Sequence, residues 1–132
     1  MNIIICLDDK NGIQFNKRRQ SKDSILCDRV LSITKDNTLW MNEYSAKMFL
    51  SNDIKVSDGF LNLANDDDYC FIENDEFLSC LGRLKKVIVY RWNKVYPSDM
   101  KIDTSFLNEK QLISSIDFKG SSHERITEEI YE

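Results

Sequence analysis

The chain has 132 residues, 42% hydrophobic and 30% charged, a globular balance that suits one domain with one core and is too short for two. One proline and four glycines argue against disorder and against a loop-rich all-β scaffold. A net charge of −4 argues against general nucleic-acid binding, and no apolar run approaches the ~20 residues of a membrane span.

In chain order, residues 2–7 (NIIICL) form a continuous apolar run rich in β-branched side chains, the pattern of a buried, parallel-paired strand. Asp8-Asp9-Lys10-Asn11-Gly12 breaks it, with Asn-Gly as the turn signal. A helix is expected over residues 22–34, with Leu26, Val30 and Ile33 at helical spacing. Ser21 is its expected N-cap, and Asp23 falls in the first turn, where the helix dipole favours a carboxylate. Thr38-Leu39-Trp40-Met41 reads as a second strand, and Asn42 to Leu50 as a helix with Tyr44, Met48 and Phe49 facing inward. Residues 53–63 fit a short helix or an irregular segment, and Asp66-Asp67-Asp68 a solvated turn.

Tyr69-Cys70-Phe71-Ile72 is the next strand. Asn74 or Asp75 caps a helix running to about Leu81, with Gly82 as its stop. Val87-Ile88-Val89-Tyr90 reads as another buried strand, and Trp92 to Tyr96 as the start of a helix that Pro97 truncates. Residues 110–118 (KQLISSIDF) alternate apolar and polar as a late strand does. Ile126 and Ile130, four apart, fit a short terminal helix with Ser121 and Glu124 as its capping box, a strand being the alternative. Strands alternating with helices predict a single α/β domain over residues 1–132, with a mainly parallel central sheet flanked by helices.

The four cysteines form no CxxC pair and only one histidine, His123, accompanies them, so neither a zinc site nor a disulfide framework is expected. No basic leader precedes Ile3-Ile4-Ile5, which makes the cytoplasm the expected compartment. Charge is unevenly spread. Residues 10–22 carry Lys10, Lys17, Arg18, Arg19 and Lys22 with no acid, and residues 83–101 are basic apart from Asp99. If these stretches meet they form a positive patch; the alternative is two solvated loops.

With these elements placed, the order resembles dihydrofolate reductase. That family starts with an apolar strand, a mobile loop, and a helix bearing a carboxylate in its first turn. Here the parallel residues are Ile3-Ile4-Ile5-Cys6-Leu7, then Asp8-Asp9-Lys10-Asn11-Gly12-Ile13, then Ser21-Lys22-Asp23. Leu39-Trp40-Met41-Asn42-Glu43-Tyr44-Ser45 is similar to its next strand and turn, and Cys70 to Trp92 to its later half. The resemblance spans residues 2–96 and implies the same fold, with the final hairpin trimmed. The departures imply lost redox chemistry. Arg91-Trp92 stands where the family has a Gly-Gly pair that lets the backbone approach a nicotinamide cofactor. Asn42-Glu43 replaces a Gly-Arg pair and sets negative charge where pyrophosphate seeks a helix N-terminus. Arg18-Arg19-Gln20 replaces the Pro-Trp of the mobile loop, while Asp23 and Ser45 remain comparable to the family's carboxylate and threonine. The chain also resembles a family of small uncharacterised bacterial proteins, some labelled ribonuclease Z. A single histidine does not supply that enzyme's two-zinc cluster.

The expected function is therefore that of a degenerate, non-redox dihydrofolate reductase-like protein that binds a small planar or anionic metabolite, with no metal and no cofactor. Its candidate ligand-binding residues are Arg18, Arg19, Asn42, Tyr44, Ser45, Arg91 and Trp92, in the crevice beyond the strand ends, where Trp40 and Tyr90 are also expected. One alternative is an enzyme acting on a nucleotide or phosphate ester, with Asp23 or His123 as acid or base. Another is a protein-interaction module on the reused scaffold. Each candidate also has a plain structural reading: helix-start electrostatics for Asp23, an exposed loop for the arginines, a capping box around His123, and aromatics that close the old cleft.

Overall fold

The computed structural model describes residues 1–132. β1 (Asn2–Leu7) lies at the centre of a seven-stranded sheet, parallel to both β6 (Tyr69–Ile72) and β7 (Lys86–Arg91). Beyond β6 come β4 (Leu39–Met41) and β5 (Ile54–Val56), both parallel. Beyond β7 come β10 (Ile126–Tyr131) and then β9 (Leu112–Phe118), an antiparallel pair. A separate small sheet has the order β3 (Arg18–Arg19), β2 (Gly12–Phe15), β8 (Met100–Lys101).

The apolar run of β1 makes it central, because alternate residues feed two different cores. Ile3, Ile5 and Leu7 pack with Phe60, Phe77 and Leu107 on one face. Ile4 packs on the other with Leu26 and Val30 of α1 (Ser24–Ile33). Each such isoleucine contributes about 1.5–3 kcal/mol of burial free energy. The flanking layers are thin. α1 is the one long helix, and α2 (Glu43–Ala46), α3 (Phe60–Leu63) and two 3-10 segments (Glu76–Arg83, Thr104–Glu109) complete them.

The structure corrects several expectations. α1 starts two residues later than the spacing suggests: Asp23, not Ser21, is the N-cap and accepts hydrogen bonds from Ile25 N and Leu26 N. The helix from Asn42 shrinks to four residues, leaving Tyr44 exposed while Phe49 is buried. No helix follows β7; residues 92–97 are irregular, and Asn93 adopts a positive φ of 60°. Residues 126–131 are strand, because their alternation buries Ile126 and Glu128 against β7 and α1. β9 and β10 pair as an antiparallel hairpin beside β7. The basic stretch read as loop contains the β2–β3 hairpin, whose turn residues Asn16 and Lys17 both have positive φ, 54° and 61°.

Candidate functional site

The carboxyl ends of β1, β6 and β7 and the start of β10 share one edge of the sheet, where open α/β sheets bind ligands. Three constellations occupy it.

The first joins the two candidate acid/base residues. His123 Nδ1 lies 3.0 Å from Asp23 Oδ2, and both side chains are buried. Asp23 also accepts from the backbone N–H groups of Ser121 and Ser122 at 3.0 and 2.8 Å. Burial alone would raise the Asp23 pKa, but the bonds from His123, Ser122, Ser121 and Leu26 outweigh it and hold the group well below its ordinary value. Since every neighbour donates, Asp23 is an ionised hub tying the start of α1 to the turn before β10. Gly120 is required there: a Cβ would overlap the Asp23 carboxylate. His123 Nε2 meets Tyr96 Oη at 2.9 Å and Ser21 Oγ at 3.0 Å, and Trp92 stacks on the ring at 4.4 Å. Both ring nitrogens and one ring face are thus engaged by the protein.

The second is centred on Glu73, which follows β6 directly and which sequence reasoning missed. Its buried carboxylate receives Arg19 in bidentate fashion, Nε at 2.8 Å and Nη2 at 2.9 Å, and accepts Ser45 Oγ–H at 2.7 Å. The Arg19 guanidinium lies 4.2 Å from the Tyr44 ring centroid, and Arg19 N donates to Tyr44 Oη at 3.0 Å. Burial would lower the Arg19 pKa, but the Glu73 pair raises it. Asn42 caps α2 by accepting from Ser45 N at 2.8 Å. Arg19, Tyr44 and Ser45 are therefore brought together as expected, yet on a protein carboxylate. The crevice beneath them, walled by Cys6, Ile13, Met48, Phe71 and Trp92, retains about 10 Å³. An acid directly after a fully apolar parallel strand was the available signal for Glu73.

Other candidates are dispersed. Arg18 is exposed on β3. Arg91 is bound to Glu129 Oε1 at 2.9 Å and Asn11 Oδ1 at 2.7 Å. Trp40 donates to Asp68 Oδ2 at 2.9 Å, and Tyr90 donates to Glu128, which also pairs with Arg29 at 2.8 Å. The aromatic residues therefore do not converge. The basic stretches do meet, through the β2–β8 ladder, but Glu73 and Glu129 neutralise Arg19 and Arg91.

The third is an open depression of about 750 Å³ between the loop after β7 and the β9–β10 loop. Its rim carries Lys94, Lys119 and Arg125, with Glu124 as the one acid. Neither lysine has a carboxylate partner, and Arg125 reaches only the exposed Asp117 at 4.0 Å. The floor is rigid. Asn93 Nδ2 ties the loops by donating to Arg125 O at 3.2 Å and Thr127 Oγ1 at 2.9 Å, and the Ser121-Ser122 turn is wrapped on Asp23. Lys94 belongs to the basic stretch 83–101, but nothing in the sequence joins it to Lys119 and Arg125, 25 and 31 residues further on. No group of three or more His, Cys, Asp or Glu side chains is arranged to hold a metal ion, and no helix is long and apolar enough to cross a membrane.

This architecture overlays on a dihydrofolate reductase from Enterococcus faecalis, solved in complex with NADP(H) and RAB-propyl, with a TM-score of 0.65. The match covers 99% of this chain and 94% of that one at 9% identity. The fold is dihydrofolate reductase-like. No family model matches the sequence. In sequence, a protein of Arabidopsis thaliana described as 4-coumarate--CoA ligase-like 8 is 32% identical over 76 residues, and the match covers 55% of this chain. The matched segment spans 13% of that plant protein's length.

On this dihydrofolate reductase-like scaffold, one expected correspondence moves. The strand that hands over to a helical segment is β6, not β7. The residues at that exit are Glu73-Asn74-Asp75-Glu76, so the expected role of Arg91-Trp92 beside a helix start does not apply.

Proposed function

We propose that the chain is a non-redox, cytoplasmic, dihydrofolate reductase-like protein that binds a small phosphate-bearing metabolite in the depression rimmed by Lys94, Lys119 and Arg125. The observation that carries this reading is the contrast in charge. These cations line an open cavity in which neither lysine has a carboxylate partner and Arg125 reaches only the exposed Asp117 at 4.0 Å, the buried Asp23 beneath the floor being taken up by backbone N–H groups and His123. An oxyanion supplies what such a rim lacks. The non-redox part rests on the acids. Glu76 opens the helical segment after β6 and Glu43 begins α2, where a pyrophosphate would be repelled, and Glu73 is already occupied by Arg19. Those residues do not fit a dinucleotide. Four unpaired cysteines support a reducing compartment.

Thermal unfolding against inorganic phosphate, nucleoside phosphates, pterins and reduced nicotinamide cofactor tests this. A ligand at about 100 times its Kd adds about 2.7 kcal/mol of stability. The expected result is stabilisation by a phosphate-bearing compound that Lys94→Ala with Arg125→Ala abolishes. Hydride transfer from reduced nicotinamide would overturn the non-redox reading.

A second reading, phosphate-ester hydrolysis with Asp23 and His123 as acid and base, draws on their 3.0 Å contact and their place beside the same depression. Their enclosure favours a positioning role instead.

A further inference from the structure

The filled crevice carries an inference independent of the anion site. Glu73 is a buried carboxylate oriented by Ser45 Oγ, both its oxygens are matched to one planar fork, and the Tyr44 ring lies against the guanidinium that it holds. A carboxylate beside an aromatic face is a receptor for guanidinium. Its present occupant, Arg19, is delivered by a two-residue strand outside the main sheet, at the end of a hairpin whose turn is exposed. A second observation lies on the next residue. Gln20 Oε1 is the one buried side-chain polar atom without a donor, and Gln20 lines the same crevice. Its Nε2 is already committed to Asp8 and Pro97, so a flipped amide does not relieve it. An unpaired buried acceptor costs about 1–3 kcal/mol. One acceptor in the crevice, Gln20 Oε1, thus lacks a donor, over apolar walls formed by Cys6, Ile13 and Phe71, while the Glu73 carboxylate is held by Arg19 and Ser45.

We propose that this crevice is a masked site for a small guanidinium-bearing metabolite, which displaces Arg19 from Glu73 and donates an N–H to Gln20 Oε1. Arg19 is the internal mimic of that ligand. Displacement moves the β2–β3 hairpin outward and leaves the vacated volume matched to a planar cation.

The test is calorimetric titration of the wild-type protein with ethylguanidinium, with ethylammonium as the control for charge alone. Saturable binding of ethylguanidinium, with ethylammonium at least tenfold weaker, is expected. Arg19→Ala removes the competitor and should bind ethylguanidinium at least tenfold more tightly than wild type. Arg19→Gln, which keeps side-chain bulk, serves if Arg19→Ala does not fold. Glu73→Gln should lose the binding. No saturable binding by the wild type would overturn the proposal, making Arg19 a fixed structural partner. Equal binding of the two cations, or binding that survives Glu73→Gln, would overturn it as well.

Discussion

Two neighbouring regions at one edge of the sheet solve the same electrostatic problem in opposite ways. In the crevice after β6, the protein supplies both charges itself, and the Arg19–Glu73 fork leaves about 10 Å³. In the depression after β7, Lys94, Lys119 and Arg125 stand around about 750 Å³ with no carboxylate paired to either lysine, and the buried Asp23 below is bound by N–H groups instead. The strands ending in both regions have buried apolar centres and both run parallel to β1. The difference comes from the loops: a hairpin folds over one strand end, while a turn locked by Asp23 holds the other open. Ligand capacity on this scaffold is thus set by what the loops bring to the edge.

The largest expected effect is on that lock. Asp23→Asn keeps the shape but turns an NH2 toward neighbours that all donate, so a loss of about 3 kcal/mol in chemical denaturation is expected. If the lock holds the depression open, the variant also loses anion binding. A stability loss with binding intact would separate the two. Next comes Arg19→Met, which strands the Glu73 carboxylate and should cost about 2 kcal/mol, less than a fully buried pair because Arg19 is 20% exposed. It should leave anion binding in the depression unchanged.

The pH dependence follows from depressed carboxylates. Burial opposes the shifts of Asp23, Asp8 and Glu128, but their hydrogen bonds prevail, from His123, from Gly12 and Tyr96, and from Arg29 respectively. A folded-state pKa below the unfolded one stabilises above the unfolded value and is lost as pH falls through the folded one. Stability should therefore be flat near neutrality and fall below the ordinary carboxylate range, with a shallower fall in Asp23→Asn. The smallest effect on folding belongs to Lys94→Ala and Arg125→Ala, each within about 0.5 kcal/mol of wild type. Each should nevertheless weaken phosphate-ligand binding about fivefold at low salt, and less at high salt.

Much of this was legible in the residues, and the failures have physical causes. β1, β6 and β7 announce themselves because strands buried on both faces are apolar throughout. α1 was visible from its spacing, although its cap was misplaced by two residues, since Ser21 and Asp23 are both good caps. Residues 126–131 stay open between helix and strand in the sequence because Ile126 and Ile130 fit a helical spacing and a strand alternation alike, and only pairing with β7 decides. Of the site residues, Asp23 and His123 were named without any sign that they touch, because nothing local relates positions 100 apart. Arg19 was named as a ligand's partner, but its own partner, Glu73, lies 54 residues away. Long-range charge pairing is set by topology, which residue spacing does not encode.

The central claim is that the open depression, and not the filled crevice, receives the anionic ligand. Backbone amide resonances of the wild-type protein, followed while the stabilising phosphate compound is added, test it directly. The account predicts saturable shifts at Asn93, Ser121 and Ser122, with Arg19, Ser45 and Glu73 unmoved. Shifts confined to Arg19, Ser45 and Glu73 would place the anion in the crevice and contradict it.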